Sequence, residues 1–401
     1  MSGHVVAQET TDEETSTGGD IQWEYGTGDV SVWSSPTVVD GMVYIGSDES
    51  LYALDTETGE QEWSFYNGNY INSSPAVSEG TVYVSSHDGN LYAMDADNGS
   101  VYWESEIGTG VHSSPTVSGG TIYVGSDDGN LYALETDSGE EEWRFETDDS
   151  IESSPTITNE TVYIGSDDGN LYAIDTTSGD AEWNFDTGRN VSSSPTVSGG
   201  RVFIGNRDGS VYAVSESTGD EEWEVETNGL VESSPTVAGG TVYVGSGDNN
   251  LYAIEAATGE EEWQSDTGAS VYSSPTIADG LVVVGNDDRQ VQAIDAASGE
   301  QEWFFSMDLH RGFYSSPTIV DGTVYVGGED GFVYALDAGV TGSSEGSRVQ
   351  SETLGYHDRA MSTSGGGDGS SSDDNWLLYG IILVGLVGAY KYLGFSSEEE
   401  A

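Results

Sequence analysis

Hydrophobic and polar residues alternate in short runs that recur with a fixed period along most of the chain. Runs of β-branched and aromatic residues are separated by clusters of glycine, aspartate and asparagine. Each run predicts a strand and each cluster a turn. In one unit, the predicted strands are Ser113–Val117 (strand A), Thr121–Gly125 (strand B), Leu131–Leu134 (strand C) and Glu141–Phe145 (strand D). The pattern therefore predicts a repeating unit of four antiparallel strands.

Tryptophan and proline mark the period of this unit. All eight prolines lie in the motif Ser-Ser-Pro-(Thr/Ala)-(Val/Ile). Eight tryptophans follow one another at a spacing of 40 residues: Trp23, Trp63, Trp103, Trp143, Trp183, Trp223, Trp263 and Trp303. Four antiparallel strands in about 40 residues are typical of a β-propeller blade.

The order of the strands predicts how the ring closes. The first strand D, Ile21–Tyr25, precedes the first strand A, and no tryptophan strand follows Asp337. We therefore expect the N-terminal strand to complete the last blade, which removes the exposed sheet edges of an open ring. The sequence predicts an all-β, eight-bladed β-propeller over residues 20–339.

The repeat resembles the tryptophan-docking motif of the pyrroloquinoline quinone (PQQ) propeller family. One copy of the motif reads Ala53, Asp55, Thr58, Gly59 and Trp63. The resemblance covers roughly residues 20–340 and implies that each tryptophan docks between neighbouring blades. The lysine of the family motif is replaced here by acidic residues or by Ser100. The compact repeats are similar to the BamB-like members of the family, which are not enzymes.

The same resemblance raises a competing hypothesis, a PQQ-dependent dehydrogenase or another PQQ-binding protein. For those enzymes it implies a vicinal disulfide beside the cofactor, a calcium site, a catalytic aspartate and long insertions. This chain has no cysteine and almost no insertions. Calcium requires about six to eight oxygen ligands, whereas turns such as Ser126–Asn130 have the length and composition of tight hairpins. We therefore predict no catalytic residues, no metal site and no bound cofactor.

Positions that differ among the copies are the candidates for binding. The distance from tryptophan to the next proline is 13 residues in the first copy, 12 in six copies and 14 in the last. The longest connection, Asp308–Phe313, contains His310 and Arg311. The residue just before Ser-Ser-Pro also varies, and we expect these residues to surround the mouth of the central channel: Trp33, Asn72, His112, Glu152, Ser192, Glu232, Tyr272 and Tyr314. Drift at solvated loop tips is the alternative interpretation.

The net charge of the chain limits the classes of partner that it can bind. The chain has 72 acidic and 9 basic residues, a formal net charge of −63. Such a surface repels nucleic acids and anionic lipids. The acids are spread through a folded pattern, which is typical of a halophile's protein whose self-repulsion is screened by molar salt. We expect its stability to fall as salt is removed.

The two ends of the chain differ from the repeats. Residues 1–19 are expected to be disordered and acidic, residues 340–375 form a Ser/Gly/Asp-rich linker, and residues 396–401 a short acidic tail. Residues 376–395 are apolar except for Lys391 and predict one transmembrane helix. We expect the propeller outside the cell and the C-terminus in the cytoplasm. Residues 1–20 lack a signal peptide, so either the true start lies upstream or the protein is tail-anchored in the cytoplasm.

These observations predict a membrane-anchored, non-catalytic propeller at the cell surface, with a monomeric ring. It would act as a BamB-like scaffold for an unidentified protein partner or bind a ligand at the channel mouth. A carbohydrate-binding surface component is a second alternative, in which the aromatic residues at the mouth would stack on sugar rings.

Overall fold

The computed structural model describes residues 5–7, 18–28, 31–307 and 312–344. Contacts divide the chain into the units Met1–Arg359 and Ala360–Ala401, and the second unit lies outside the described residues. The predicted transmembrane helix, the acidic tail and all but the first residues of the predicted linker also lie outside them. Within the described part, every regular element is a strand, and no helix there is long and apolar enough to cross a membrane.

Strands A and B of the eight blades have the same lengths in every copy. The strands A are β3 Thr37–Val39, β7 Ala76–Ser78, β11 Thr116–Ser118, β15 Thr156–Thr158, β19 Thr196–Ser198, β23 Thr236–Ala238, β27 Thr276–Ala278 and β31 Thr318–Val320. The strands B are β4 Met42–Gly46, β8 Thr81–Ser85, β12 Thr121–Gly125, β16 Thr161–Gly165, β20 Arg201–Gly205, β24 Thr241–Gly245, β28 Leu281–Gly285 and β32 Thr323–Gly327.

Strands C and D complete the antiparallel blades. The strands C are β5 Ser50–Asp55, β9 Asn90–Asp95, β13 Asn130–Glu135, β17 Asn170–Asp175, β21 Ser210–Ser215, β25 Asn250–Glu255, β29 Gln290–Asp295 and β33 Phe332–Asp337. The strands D are β2 Ile21–Gly26, β6 Gln61–Tyr66, β10 Val101–Glu106, β14 Glu141–Glu146, β18 Ala181–Asp186, β22 Glu221–Glu226, β26 Glu261–Asp266 and β30 Gln301–Ser306. Seven sheets have the order A-B-C-D, so the predicted eight-bladed propeller of four-stranded blades is confirmed.

The eighth blade is closed by the N-terminal strand, as predicted. Strand β2 pairs with β33, with Trp23 opposite Ala335. The two strands also rebuild the turn that a continuous chain would form. The amide of Gly19 donates to the carbonyl of Asp337 at 2.7 Å, and the amide of Asp337 donates to Asp20 at 2.8 Å. In the first complete blade, Gly59 and Asp55 make the corresponding bonds inside one covalent turn, each at 2.9 Å.

A fifth strand extends the eighth blade. Strand β1, Val5–Ala7, pairs antiparallel with β2 and puts Ala7 opposite Trp23. These three residues belong to the segment that the sequence predicts to be disordered, so there the structure differs from the prediction. The other seven sheets end at strand D.

Strand A is shorter than predicted because the Ser-Ser-Pro motif stands before it and not within it. Pro115 has no amide hydrogen to donate to a ladder. The hydroxyl of Ser113 instead accepts the amide of Gly125 at 3.0 Å, and the amide of Ser114 donates to the next blade. Strand A therefore begins at Thr116 instead of Ser113.

The second serine of each motif joins neighbouring blades in a closed circle, which we call the serine ring. Each serine amide donates to the hydroxyl of the corresponding serine in the next blade at 2.8–3.1 Å. The circle runs through Ser35, Ser74, Ser114, Ser154, Ser194, Ser234, Ser274 and Ser316 and returns to Ser35. It ties together the inner ends of all eight blades.

The tryptophans join the blades at their outer ends. In each strand D, the register with strand C shifts at the residue just before the tryptophan, a bulge that redirects its side chain. Each indole Nε1 donates at 2.9–3.1 Å to a carbonyl of the following blade, respectively that of Thr56, Ala96, Thr136, Thr176, Glu216, Ala256, Ala296 and Ala338. This is the docking that the family resemblance implies. Apolar side chains of adjacent blades fill the space between; Leu131 and Ile164, for example, belong to one buried cluster.

Candidate functional site

The D–A connections and the B–C turns lie at the same end of the ring, which we call the mouth face. The amide of Asp167 in a B–C turn donates to the carbonyl of Ser150 in a D–A connection at 2.9 Å, and Asp287 bonds Ser270 in the same way at 2.9 Å. The A–B and C–D turns meet at the opposite end, where the amide of Thr136 donates to Gly120. The connections of variable length therefore share the mouth face.

The aspartates of the B–C turns serve the turns themselves. Asp128 accepts the amide of Asn130 at 3.0 Å and the hydroxyl of Tyr132 at 2.7 Å. Asp88, Asp168, Asp248 and Asp330 repeat both contacts. The hydrogen bonds of these carboxylates therefore stabilise the tight hairpin turns to which they belong. Among the residues that the structure describes, no group of three or more His, Asp or Glu side chains is placed to hold a metal ion.

A buried apolar column orients the eight residues that precede Ser-Ser-Pro, which we call the mouth ring. The residue before each of them is 0–1% exposed: Val32, Ile71, Val111, Ile151, Val191, Val231, Val271 and Phe313. This column packs closely against glycines of strand B, since a Cβ added at Gly125 would lie 2.3 Å from Ile151 Cγ2. Because side chains of an extended chain alternate, the next residue points away from the core and onto the mouth face.

Three aromatic members of the mouth ring form one row, the aromatic sector. The rings of Tyr272 and Tyr314 are stacked, with centroids 5.5 Å apart and planes at 5°. Trp33 follows Tyr314 across the closure of the ring, at 5.8 Å and 32°. Burial and the charge of Asp287, whose carboxylate accepts the Tyr314 hydroxyl at 3.2 Å, raise the pKa of Tyr314. Trp33 is 46% exposed and Tyr314 is 37% exposed.

A histidine sector adjoins Trp33. His112 Nδ1 lies 3.1 Å from Asp127 Oδ1, and its ring lies 4.2 Å from that of His87. Asn72 Nδ2 lies 3.4 Å from His87 Nε2. The hydrogen bond with Asp127 raises the pKa of His112, whereas burial and the neighbouring His112 lower the pKa of His87.

The histidine sector and Trp33, at the end of the aromatic sector, border an open cavity of about 380 Å³. Its lining consists of Ser31, Trp33, Asp48, Tyr70, Asn72, His87 and His112. The volume lies within the range of small-molecule sites, and the mixture of aromatic rings with a few polar groups is typical of them.

The remaining members of the mouth ring form an acidic sector around one arginine. Arg207 Nε lies 2.9 Å from Glu232 Oε1, and Arg207 Nη2 lies 3.4 Å from Glu152 Oε2. Between these glutamates, Ser192 donates to Asp167 at 3.2 Å. Burial and the charge of Asp167 raise the pKa of Glu152, although Arg207 opposes the shift. Two members of this sector, Glu152 and Glu232, are thus bridged by Arg207.

The structure thus gathers all eight predicted mouth-ring residues on one face. Their role in binding stays a prediction. His310 and Arg311, also predicted for this surface, lie outside the described residues.

The sequence analysis missed the partners of the mouth ring. His87 and Arg207 occupy the second residue of the B–C turn, a position that is Asp48, Asp127, Asp167, Gly247, Asp287 or Glu329 in the other copies. Comparing this second variable column among the copies would have found both residues. Tyr70 and Ser31 lie in a third variable column, two residues before the mouth ring, which the same comparison would also have found.

Two families match the chain. The family described as "Beta-alanine-activating enzyme, beta-propeller" matches residues 118–354, more than half of the chain. The family described as "Outer membrane protein assembly factor BamB" matches residues 3–111 and 69–158. Among curated proteins, none matches at a significant level.

Solved structures share the fold at low identity. BamB from Moraxella catarrhalis is 19% identical, with a TM-score of 0.67 over 76% of this chain and 96% of its own. The quinohemoprotein alcohol dehydrogenase from Comamonas testosteroni is 17% identical, with a TM-score of 0.67 over 80% of this chain and 76% of its own. The computationally designed protein Ika8 is 15% identical, with a TM-score of 0.69 over 77% and 96% of the two chains. At these identities the similarity shows the fold alone.

Proposed function

Because the chain belongs to the β-propeller family of the beta-alanine-activating enzyme, and is also similar to BamB, we propose that it is a non-catalytic binding module held at a membrane. It binds a partner protein or a ligand on the mouth face. BamB is described as an outer membrane protein assembly factor, and by analogy the partner is a protein. The observation that carries the proposal is the cavity bordered by Trp33 and the histidine sector.

The composition of the mouth face supports a binding role. Among the described residues, the large apolar side chains with substantial exposure are Trp33, Tyr66, Tyr70, Val101, Tyr102, Phe304 and Tyr314. Four of them lie on outer strands D, and the other three lie on the mouth face. Exposed aromatic residues that cluster around a cavity mark interaction sites more often than single exposed residues do.

Site-specific photo-crosslinking in the native cells tests the proposal. A photoreactive residue replaces Asn72 on the mouth face of the full-length protein, and in a matched variant it replaces the exposed Glu57 of a C–D turn on the opposite end. We expect a discrete cross-linked adduct from position 72 and none of the same size from position 57.

Equal adducts from both positions, or none from position 72, would contradict a binding role of the mouth face.

The tether is tested separately by deleting residues 376–395. The full-length protein should sediment with the membrane fraction, and the deletion should move it to the supernatant.

A PQQ-binding protein is the competing function, since the fold is shared with the quinohemoprotein alcohol dehydrogenase. A thermal melt of the full-length protein with saturating PQQ and calcium separates the two. A ligand present at about 100 times its dissociation constant adds about 2.7 kcal/mol of stability. A clear rise in melting temperature would favour the quinoprotein, and no change would favour the scaffold.

A further inference from the structure

Four asparagines of the chain stand in the motif Asn-x-(Ser/Thr), in which x is not proline. This motif is the acceptor of N-linked glycans when it lies on a surface loop of a protein outside the cytoplasm. The four asparagines are Asn72, Asn98, Asn159 and Asn190. All four lie in the described part of the chain, so the structure shows how accessible each motif is.

The two motifs on the mouth face are occupied by contacts of the fold. Ser74, the third residue of the motif at Asn72, belongs to the serine ring and is bonded to both neighbouring blades. In the motif at Asn190, the middle residue Val191 is fully buried, and the Ser192 hydroxyl donates to a carboxylate at 3.2 Å. Neither motif is therefore free to be modified in the folded ring.

The other two motifs lie at the opposite end of the ring. Asn159 is exposed in an A–B turn, but the hydroxyl of Thr161, in the same motif, donates to Glu182 at 2.9 Å. Asn98 and Ser100 are both exposed in the C–D turn between β9 and β10. The Ser100 hydroxyl forms no hydrogen bond within the part of the chain that the structure describes. The motif at Asn98 is thus the most accessible of the four.

Backbone hydrogen bonds hold this turn in one conformation. The carboxylate of Asp95 accepts the amides of Asp97 and Asn98 at 2.9 and 3.1 Å. The Asn98 Oδ1 accepts the amide of Ser100 at 3.0 Å. The asparagine side chain and the residue that carries the hydroxyl of the motif are therefore held next to each other at the surface.

Residues 98–102 depart from the repeat at every position except Gly99. In the six other covalent C–D turns, the position of Asn98 is serine or threonine and that of Ser100 is acidic. The position of Val101 is glutamate, glutamine or alanine, and that of Tyr102 is always glutamate. Two separate replacements, Asn98 and Ser100, are needed to create the motif, so the repeat itself does not account for it.

The same departures leave exposed apolar surface beside the motif. Val101 is 42% exposed and Tyr102 is 58% exposed, both at the beginning of β10. The Tyr102 hydroxyl donates to Asp95 at 2.6 Å, which fixes the ring against the turn. Adjacent exposed apolar residues mark contact with another molecule. A glycan on Asn98 would lie beside this pair, and the apolar C–H faces of its sugars would cover it.

We propose that Asn98 carries an N-linked glycan, transferred from a lipid-linked oligosaccharide phosphate. In the transfer, a bond forms between Asn98 Nδ2 and the anomeric carbon of the first sugar, and the bond from that carbon to the phosphate oxygen breaks. The lipid phosphate leaves, and Nδ2 loses one proton. The glycan projects from the end of the ring opposite the mouth face, which stays open to its partner. This inference rests on the proposed membrane tether, with the propeller on the outer side, because the motif is modified outside the cytoplasm.

Mass spectrometry of the full-length protein, isolated from the membranes of its native cells, tests the proposal. Trypsin is unsuitable, since no lysine or arginine precedes Arg144, so the protein is digested with chymotrypsin. We expect the peptide of residues 93–102 to carry a series of sugar masses. Fragmentation by electron transfer should locate these masses on Asn98.

Four variants test the role of the motif. Asn98→Gln and Ser100→Ala should each abolish the added mass, because the first removes the acceptor asparagine and the second the hydroxyl. Ser100→Thr should retain the added mass, because it keeps a hydroxyl at this position. Asn159→Gln is the matched control, since it removes the other exposed motif at the same end, and it should leave the mass unchanged. Melting temperatures verify that all four variants fold.

Each other outcome overturns the inference. An unmodified peptide 93–102 from the membrane-bound protein would show that Asn98 is not an acceptor. Persistence of the added mass in Ser100→Ala would show that the motif does not direct the attachment, and its loss in Asn159→Gln would place the glycan on the A–B turn. If Asn98 is unmodified while the adduct at position 72 persists, this inference fails and the proposed function stands. A glycan on Asn98 without that adduct would support the inference and contradict the binding role of the mouth face.

Discussion

The strand that closes the ring makes a quantitative prediction about Trp23. Its indole is 1% exposed, its Nε1 donates to the carbonyl of Thr56 at 2.9 Å, and its ring lies 5.8 Å from that of Tyr325. Trp143 makes the same contacts in an inner copy, at 2.9 Å to Thr176, but its side chain is only partly buried. The substitutions Trp23→Ala and Trp143→Ala therefore differ mainly in the area that each ring buries.

The expected losses follow from this burial. Replacing a buried tryptophan with alanine costs about 3–5 kcal/mol, which includes the cavity left behind. The carbonyl of Thr56 also accepts the hydroxyl of Tyr325 at 3.3 Å, so it keeps a partner in the variant. We therefore expect Trp23→Ala to lower the free energy of unfolding by about 4 kcal/mol, near the middle of that range. The loss for Trp143→Ala should be smaller by about 1 kcal/mol, since part of its surface is already in water.

Urea denaturation of the full-length protein measures both losses. Far-ultraviolet circular dichroism is the signal, because each variant removes a fluorescent side chain. Equal slopes of free energy against urea are the control that both variants unfold over the same surface. If Trp143→Ala lost as much stability as Trp23→Ala, or more, the N-terminal strand would not be the firmly docked closure described above.

Three further predictions concern salt, glycine geometry and pH. The melting temperature should fall by roughly 10 °C between 1 M and 0.1 M NaCl, as the screening length grows from about 3 to 10 Å and the acidic surface repels itself; an unchanged temperature would contradict this. Gly139→Ala should cost at least about 1 kcal/mol more than Gly119→Ala. Both glycines have positive φ (69° and 61°), but only at Gly139 would the added Cβ lie 2.6 Å from Trp103. Equal losses of stability in urea denaturation would show that φ alone determines the cost. The hydrogen bond to Asp127 raises the pKa of His112, so its stabilising contribution is present below pH 6.5 and is lost as the pH rises above that value. His112→Gln should therefore cost up to about 1 kcal/mol at pH 6 and less at pH 9, and a cost that grows with pH would refute this sign.

The fold could be predicted from the sequence because the residues that specify each blade are close together in the chain and recur in every repeat. The Trp-to-Trp spacing and the missing strand after Asp337 were enough to predict closure by β2. The start of strand A was misplaced because Ser113 and Ser114 look like strand residues but use their polar groups between strands and blades. Strand β1 has no counterpart among the repeats, so nothing in the repeat pattern indicated it.

Only part of the candidate site could be predicted from the sequence. The mouth ring was predicted because the residue before Ser-Ser-Pro differs among the eight copies. The side chains that contact the mouth ring lie in the B–C turns of neighbouring blades. His87, for example, contacts His112, and Arg207 pairs with Glu152. Such contacts depend on the curvature of the ring, which brings together residues about 25 to 55 positions apart and has no local signature.

The rebuilt turn between Asp337 and Gly19 means that the circle of blades has no physical starting point. In the covalent turn, three residues separate Asp55 from Gly59. A link of three residues between Asp337 and Gly19 would therefore restore an ordinary C–D turn, and cutting any other C–D turn would then yield a circular permutant with the same interblade contacts. The position of the break in the ring is thus set by the order of the repeats in the gene and not by the folded contacts. Moving the break to another C–D turn keeps the 40-residue period, so it alters the chemistry of no repeated blade contact.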